Sequence, residues 1–178
     1  MSSRNIADEY FGFFAQQEPA VFADYANATL WTSRATTALV HVGLQVFPGE
    51  VTARGHSSRN PWSRSEYMTL DVVIVDPNTW GSPQFTAEHE NSSSRSRVQY
   101  DAWKLLSVES RCRVLVAYFG HGTEFADFAA LSAAVREVCT DHPGKEVMVI
   151  GGQAHALPQN GIEFQKIHES ELLGASQR

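Results

Sequence analysis

Apolar and polar positions along this chain follow two rhythms. Residues 5–16 and 19–46 carry apolar side chains at helical spacing, with Phe22, Tyr25, Ala26 and Leu30 followed by Leu39, Val40 and Leu44, and two helices are expected there. PGE at 48–50 ends the second, and EVTARGH at 50–56 reads as a strand. EYMTLDVVIVDP at 66–77 is a nearly continuous β-branched run, typical of a central strand buried on both faces, and Asp76-Pro77 stops it. After the turn residues NTWGSP comes QFTAEHE at 84–90, so residues 50–90 are predicted to form a three-stranded meander. NSSSRSR at 91–97 is a loop by composition.

Beyond that loop the helical rhythm returns. RVQYDAWKLL at 97–106 puts Val98, Ala102, Leu105 and Leu106 on one helical face. CRVLVAYF at 112–119 is a second buried strand, and TEFADFAALSAAVREVC at 123–139 an amphipathic helix. EVMVIGG at 146–152 is a further strand, and GIEFQKIH at 161–168 an edge strand. Short turns between the early strands imply antiparallel pairing, whereas the later strand-helix-strand unit implies a parallel, right-handed crossover. The expected fold class is α/β, a mixed sheet with helices on its faces, in a single domain over 1–178.

Composition narrows the class without choosing a function. The chain of 178 residues is 43% hydrophobic and 19% charged, and no uncharged apolar stretch approaches a membrane span of roughly 18 to 20 residues. The first residues, MSSRNIADEYFGFF, lack the apolar core of a signal peptide, so a cytoplasmic location is the default expectation. Two cysteines, Cys112 and Cys139, suit reduced thiols better than a disulfide framework or a zinc cluster. The net charge of −6 argues against a globally basic nucleic-acid binder. Positive charge is nevertheless concentrated in two loops, with Arg54, Arg59 and Arg64 in one and Arg95 and Arg97 in the other. Surface arginine needs no special explanation, but both loops flank the acids considered next.

In QFTAEHE, period-two alternation puts Thr86, Glu88 and Glu90 on one face and Phe85, Ala87 and His89 on the other. Asp71 is expected in the middle of the preceding strand, where an isolated charge is costly unless paired or bound to metal. If the two strands are neighbours, Asp71, Glu88 and Glu90 form a cluster of three carboxylates, and a divalent cation is the simplest way to hold them ionised together. Ligands that are all oxygen favour Mg²⁺ or Mn²⁺ over zinc.

The segments LDVVIVDP and AEHEN, followed by YDAWKLL and RCRVLVAYF, resemble the PD-(D/E)xK phosphodiesterase superfamily, with its restriction endonuclease-like fold, over about residues 48–152. The resemblance implies a nuclease core, preceded by the N-terminal helices, in which Asp71 and Glu88 ligate Mg²⁺ and position a water for attack on a phosphate of DNA or RNA. Glu90 stands where the superfamily has a lysine, and the motif itself is short. Lys104, on the helix that follows, is a candidate for the displaced lysine. Asp101 either orients Lys104 or forms an ordinary i,i+3 surface pair with it. Arg59, Arg64, Arg95 and Arg97 would contact backbone phosphates without reading sequence. Trp103 is expected to pack against the protein rather than stack on a base.

A rival from another class is a non-catalytic member of the same fold, acting as an interaction or assembly module; the acidic net charge and the missing lysine favour it. A homodimer is left open. No GxGxxG or GxxxxGK[ST] supports nucleotide binding, no GxSxG a serine hydrolase, and no HExxH or CxxC a zinc site from His89, His121 and His155.

Overall fold

Strands whose residues are apolar on both sides must be covered on both sides, and the architecture follows from that requirement. The computed structural model of the protein describes residues 6–10, 12, 28–47, 49–53, 69–76, 78, 82–92, 94–156 and 162–174. Its elements run α1 (Ala28–Val46), β1 (Glu50–Ala53), β2 (Val72–Val75), β3 (Phe85–His89), α2 (Arg95–Ser107), β4 (Cys112–Gly120), α3 (Phe128–Cys139), β5 (Glu146–Ala156) and β6 (Ile162–Gly174). The six strands form one sheet in sequence order. The pairs β1–β2, β2–β3 and β5–β6 are antiparallel, while β3–β4 and β4–β5 are parallel. The protein is therefore α/β with a mixed sheet, and the two parallel steps are the two crossovers through α2 and α3.

Alternation along the strands sorts the core into two layers. Val72, Ile74, Phe85, Ala87, Val114, Val116, Met148 and Ile150 pack with Leu39, Val42 and the helical residues Ile6 and Tyr10 on one face. Val73, Leu115, Ala117, Val147 and Val149 pack on the other with Val98, Leu105, Leu131 and Val135 of α2 and α3. Helices thus cover both faces, which is why β2 and β4 read as continuous apolar runs. On the first face α1 comes close at Gly43, where a Cβ would stand 2.6 Å from Ile74 Cδ1.

Helix ends fix where α2 and α3 lie. Ser94 caps α2, its hydroxyl accepting from Arg97 N, and Asp127 caps α3, accepting from Ala130 N at 2.8 Å. At the other end of α2 the buried guanidinium of Arg113, on β4, donates through Nε to Leu105 O at 3.0 Å and through Nη2 to Val108 O at 2.9 Å. A cation on the last carbonyls also complements the helix dipole. Among the described residues no helix is long and apolar enough to cross a membrane.

Several expectations need correction. Asp71 is not in the middle of a strand: it sits on the bend immediately before β2. The helix expected over 123–139 begins only at Phe128, because Thr123 caps a turn, its hydroxyl donating to Gly120 O at 3.0 Å and accepting from Phe125 N. β5 runs on to Ala156 and β6 to Gly174, since each completes the other's backbone hydrogen bonds. Residues 54–56 of the first strand, 66–68 of the second, and much of the two N-terminal helices lie outside the described residues. Cys112 and Cys139 are both free thiols.

Candidate functional site

The strand register brings the acids together. Val72 pairs with Ala87 across β2 and β3, so continuing the same register by one residue sets Asp71 opposite Glu88. Both then face α2, by the same alternation that turns Val72 and Ala87 toward α1. Asp71 is buried and accepts a hydrogen bond from His89 N at 2.9 Å, which ties it across to β3. Glu88 is 2% exposed, so it is no wet strand end. Glu90, just past β3, remains on the same side and is half-buried.

Lys104 reaches into this cluster from α2. Its ammonium lies 2.7 Å from Glu88 Oε1 and 2.8 Å from Asp101 Oδ1. It also donates to Thr69 O at 3.3 Å. Thr69 has φ 62°, a left-handed conformation unfavourable for a β-branched residue, and it is this turn that aims the carbonyl at Lys104 just before Asp71. Asp101 is buried and belongs to the cluster, so the ordinary surface-pair reading of Asp101 and Lys104 does not hold.

The electrostatics follow from too many acids around one cation. Burial, then the charges of Asp71 and Asp101, push Glu88 well above the usual carboxylate range, against the pull of Lys104. Burial works against the charge of Lys104, but Glu88 and Asp101 outweigh it and hold the ammonium above its ordinary value. Glu90 is raised to about 7, first by burial and next by a hydrogen bond to Asp101 that only the protonated carboxyl can donate. Ser92 N and the charge of Arg97 oppose that shift.

Asp71, Glu88, Glu90 and Lys104 are thus gathered on one side of the sheet, and Asp101 joins them. The three carboxylates expected to share a metal are not, however, equivalent. Glu90 is engaged by Ser92 N and Asp101, while Asp71 and Glu88 face one another. Among the described residues, no group of three or more His, Cys, Asp or Glu is arranged to hold a metal ion.

The arginines divide. Arg97 is exposed beside Glu90, whereas the Arg95 guanidinium pairs with Glu137 on α3. Arg54, Arg59 and Arg64 lie outside the described residues. His89 faces away from the acids, as alternation requires, and its Nε2 lies 2.7 Å from Tyr118 Oη. Its Nδ1 is buried without a hydrogen-bond partner, and burial lowers the ring to about 3, so it is neutral. His121 is exposed in a turn whereas His89 is buried against Tyr118, and the side chain of His155 lies outside the described residues.

Trp103 packs against the protein, but on the surface of α2 rather than in the core. It is 49% exposed and stacks on Tyr100, itself 50% exposed, with ring centroids 5.9 Å apart and 23° between planes. The helical phase could have revealed this. At 100° per residue Trp103 falls outside the stripe of Val98, Ala102, Leu105 and Leu106, whereas Arg97, Asp101 and Lys104 share the opposite flank. No protein family, curated protein or solved structure matches this chain.

Proposed function

We propose that the chain is a metal-dependent phosphodiesterase of the PD-(D/E)xK type acting on nucleic acid. The observation that carries this reading is the ammonium of Lys104, which lies against Glu88 while Asp71 stands opposite at the bend before β2. Two carboxylates, one at the bend before β2 and one on β3, thus converge with a lysine supplied by α2, while Glu90 just past β3 stands where the superfamily has its lysine.

The donor set suits a hard cation. It is all oxygen, and the one ammonium meets Glu88 and Asp101 while Asp71 and Glu90 stand beside those two, an excess of acids that a divalent ion would relieve. Mg²⁺ is commonly held by one or two carboxylates together with substrate phosphate, and Asp71 and Glu88 would supply those two, with Mn²⁺ as a substitute. When bound, the ion would polarise a phosphate and acidify a water. Lys104 would hold a positive charge beside the reacting phosphate and keep Glu88 in place. Glu90, titrating near neutrality, would accept a proton from a water at the rim of the cluster. Arg97 would hold backbone phosphate by charge alone, giving a salt-sensitive contact without sequence preference.

A second reading is a non-catalytic interaction module of the same fold. It is favoured by contacts within the cluster itself: Lys104 touches both Glu88 and Asp101, and Glu90 bonds to Asp101. The two readings separate in one experiment. Single- and double-stranded DNA and RNA are incubated with the protein and Mg²⁺ or Mn²⁺, beside Asp71→Asn and Glu88→Gln. The nuclease reading expects metal-dependent cleavage that falls at least about 100-fold in both variants. Absence of cleavage in the wild type, together with no calorimetric Mn²⁺ binding, leaves the module reading.

A further inference from the structure

The flank of α2 that faces α3 carries a feature the cluster does not use. Between the helices lies an open groove of about 600 Å³, with Ser96, Gln99, Tyr100 and Trp103 on the α2 side and Glu137 and Asp141 on the other. Two large rings half in water, side by side on one helix face, make a contiguous aromatic patch of the kind that marks interaction sites. Here they are stacked in parallel and joined to the cluster: the Lys104 ammonium that touches Glu88 lies 5.4 Å from the centroid of the Tyr100 ring. Successive contacts of 5.4 Å and 5.9 Å lead from the ammonium to Tyr100 and on to Trp103.

The chemistry of the groove selects its occupant. A phosphate would meet the carboxylates of Glu137 and Asp141 and be repelled, even though Arg95 and Gln99 engage Glu137. A nucleobase fits both walls. Its face stacks on an indole, and its exocyclic amino group donates to a carboxylate, as cytosine does to Asp or Glu. A paired base has its faces buried in the helical stack, so only an unpaired base can enter. Its phosphates would then run along the other flank of α2, toward Arg97 and Lys104.

We infer that the Tyr100–Trp103 stack is a base-stacking platform that takes an unpaired base and leads single-stranded nucleic acid to Asp71, Glu88 and Lys104, a substrate class that rests on the nuclease reading. The test is fluorescence anisotropy with a labelled 12-nucleotide oligo(dC) in EDTA, where no cleavage occurs, against a duplex of the same length. The wild type is expected to bind the single strand about tenfold more tightly than the duplex; Trp103→Ala should lose about tenfold and Trp103→Phe most of that loss restored. Replacing dC with dT, which lacks an amino group, should weaken binding further. Unchanged affinity in Trp103→Ala, or equal affinity for the duplex, overturns the inference. So does a dimer in sedimentation that Trp103→Ala dissolves without altering oligonucleotide affinity, because a second copy would then be the occupant. Trp103-dependent single-strand binding in a protein that cleaves nothing with Mg²⁺ or Mn²⁺ would remove the catalytic reading and leave the platform.

Discussion

At Lys104 one ammonium meets two buried carboxylates and a backbone carbonyl, and its removal would leave Glu88 and Asp101 facing each other. Breaking a buried pair by deleting one partner costs about 3–5 kcal/mol when the remaining charge has neither water nor a counter-ion; here that charge is on Asp101, because Glu88 is held well above the usual carboxylate range and keeps its proton. Lys104→Met is therefore expected to destabilise the protein by about 3 kcal/mol at neutral pH, read from urea unfolding. Asp101→Asn added to it should recover more than half of that loss. A loss under about 1 kcal/mol in the single variant would mean that the cluster does not depend on its cation. The same comparison bears on chemistry: a lysine that only balances charge can be replaced together with its partner, whereas one that acts on a phosphate cannot.

Among elements, what could be read beforehand was what period and parity determine. β2 and β4 are apolar at consecutive positions because both faces are covered, and the meander and two crossovers follow from the lengths of the connections. The shared face of Glu88 and Asp71 is likewise a matter of parity. Two features were not legible for physical reasons. Asp101 three residues before Lys104 looks like a solvated pair, and only the neighbouring strand end buries it. The link between His89 and Tyr118 joins residues 29 apart in sequence, across the parallel step from β3 to β4. The half-exposure of Trp103, by contrast, is legible in its phase around α2. Gly43 offers a test of how closely α1 is seated on the sheet. A Cβ there would meet Ile74 Cδ1 at 2.6 Å and Phe85 Cδ1 at 2.9 Å, and Phe85 is fully buried. Gly43→Val should cost about 2–3 kcal/mol by overpacking, despite the small flexibility cost of glycine in a helix. Thermal unfolding measures it, and a stabilised variant would show that α1 can move away freely.

For the whole molecule, the buried acids and the buried histidine make opposite demands on pH. Glu90 has a folded pKa of about 7, above the 4.5 of an unperturbed glutamate, and Glu88 is raised as well. Above 4.5 the unfolded chain gives up these protons first, so the folded state binds more of them and stability falls as pH rises toward and through the folded values. His89 works the other way. Its pKa is lowered from 6.5 to about 3, so below 6.5 the unfolded chain takes up a proton that the folded one refuses, and stability rises with pH until that point. The two slopes oppose each other in weak acid, and above 6.5 only the acids remain. Stability in EDTA is accordingly expected to peak below neutral pH and to decline between pH 6.5 and 8, as followed by urea midpoints at a series of pH values. Glu90→Gln removes one of the titrating groups and should flatten that decline while leaving the acid limb, which belongs to His89, in place. An unchanged slope in Glu90→Gln would mean that Glu90 is solvated like a surface acid and is not part of the charge cluster around Lys104.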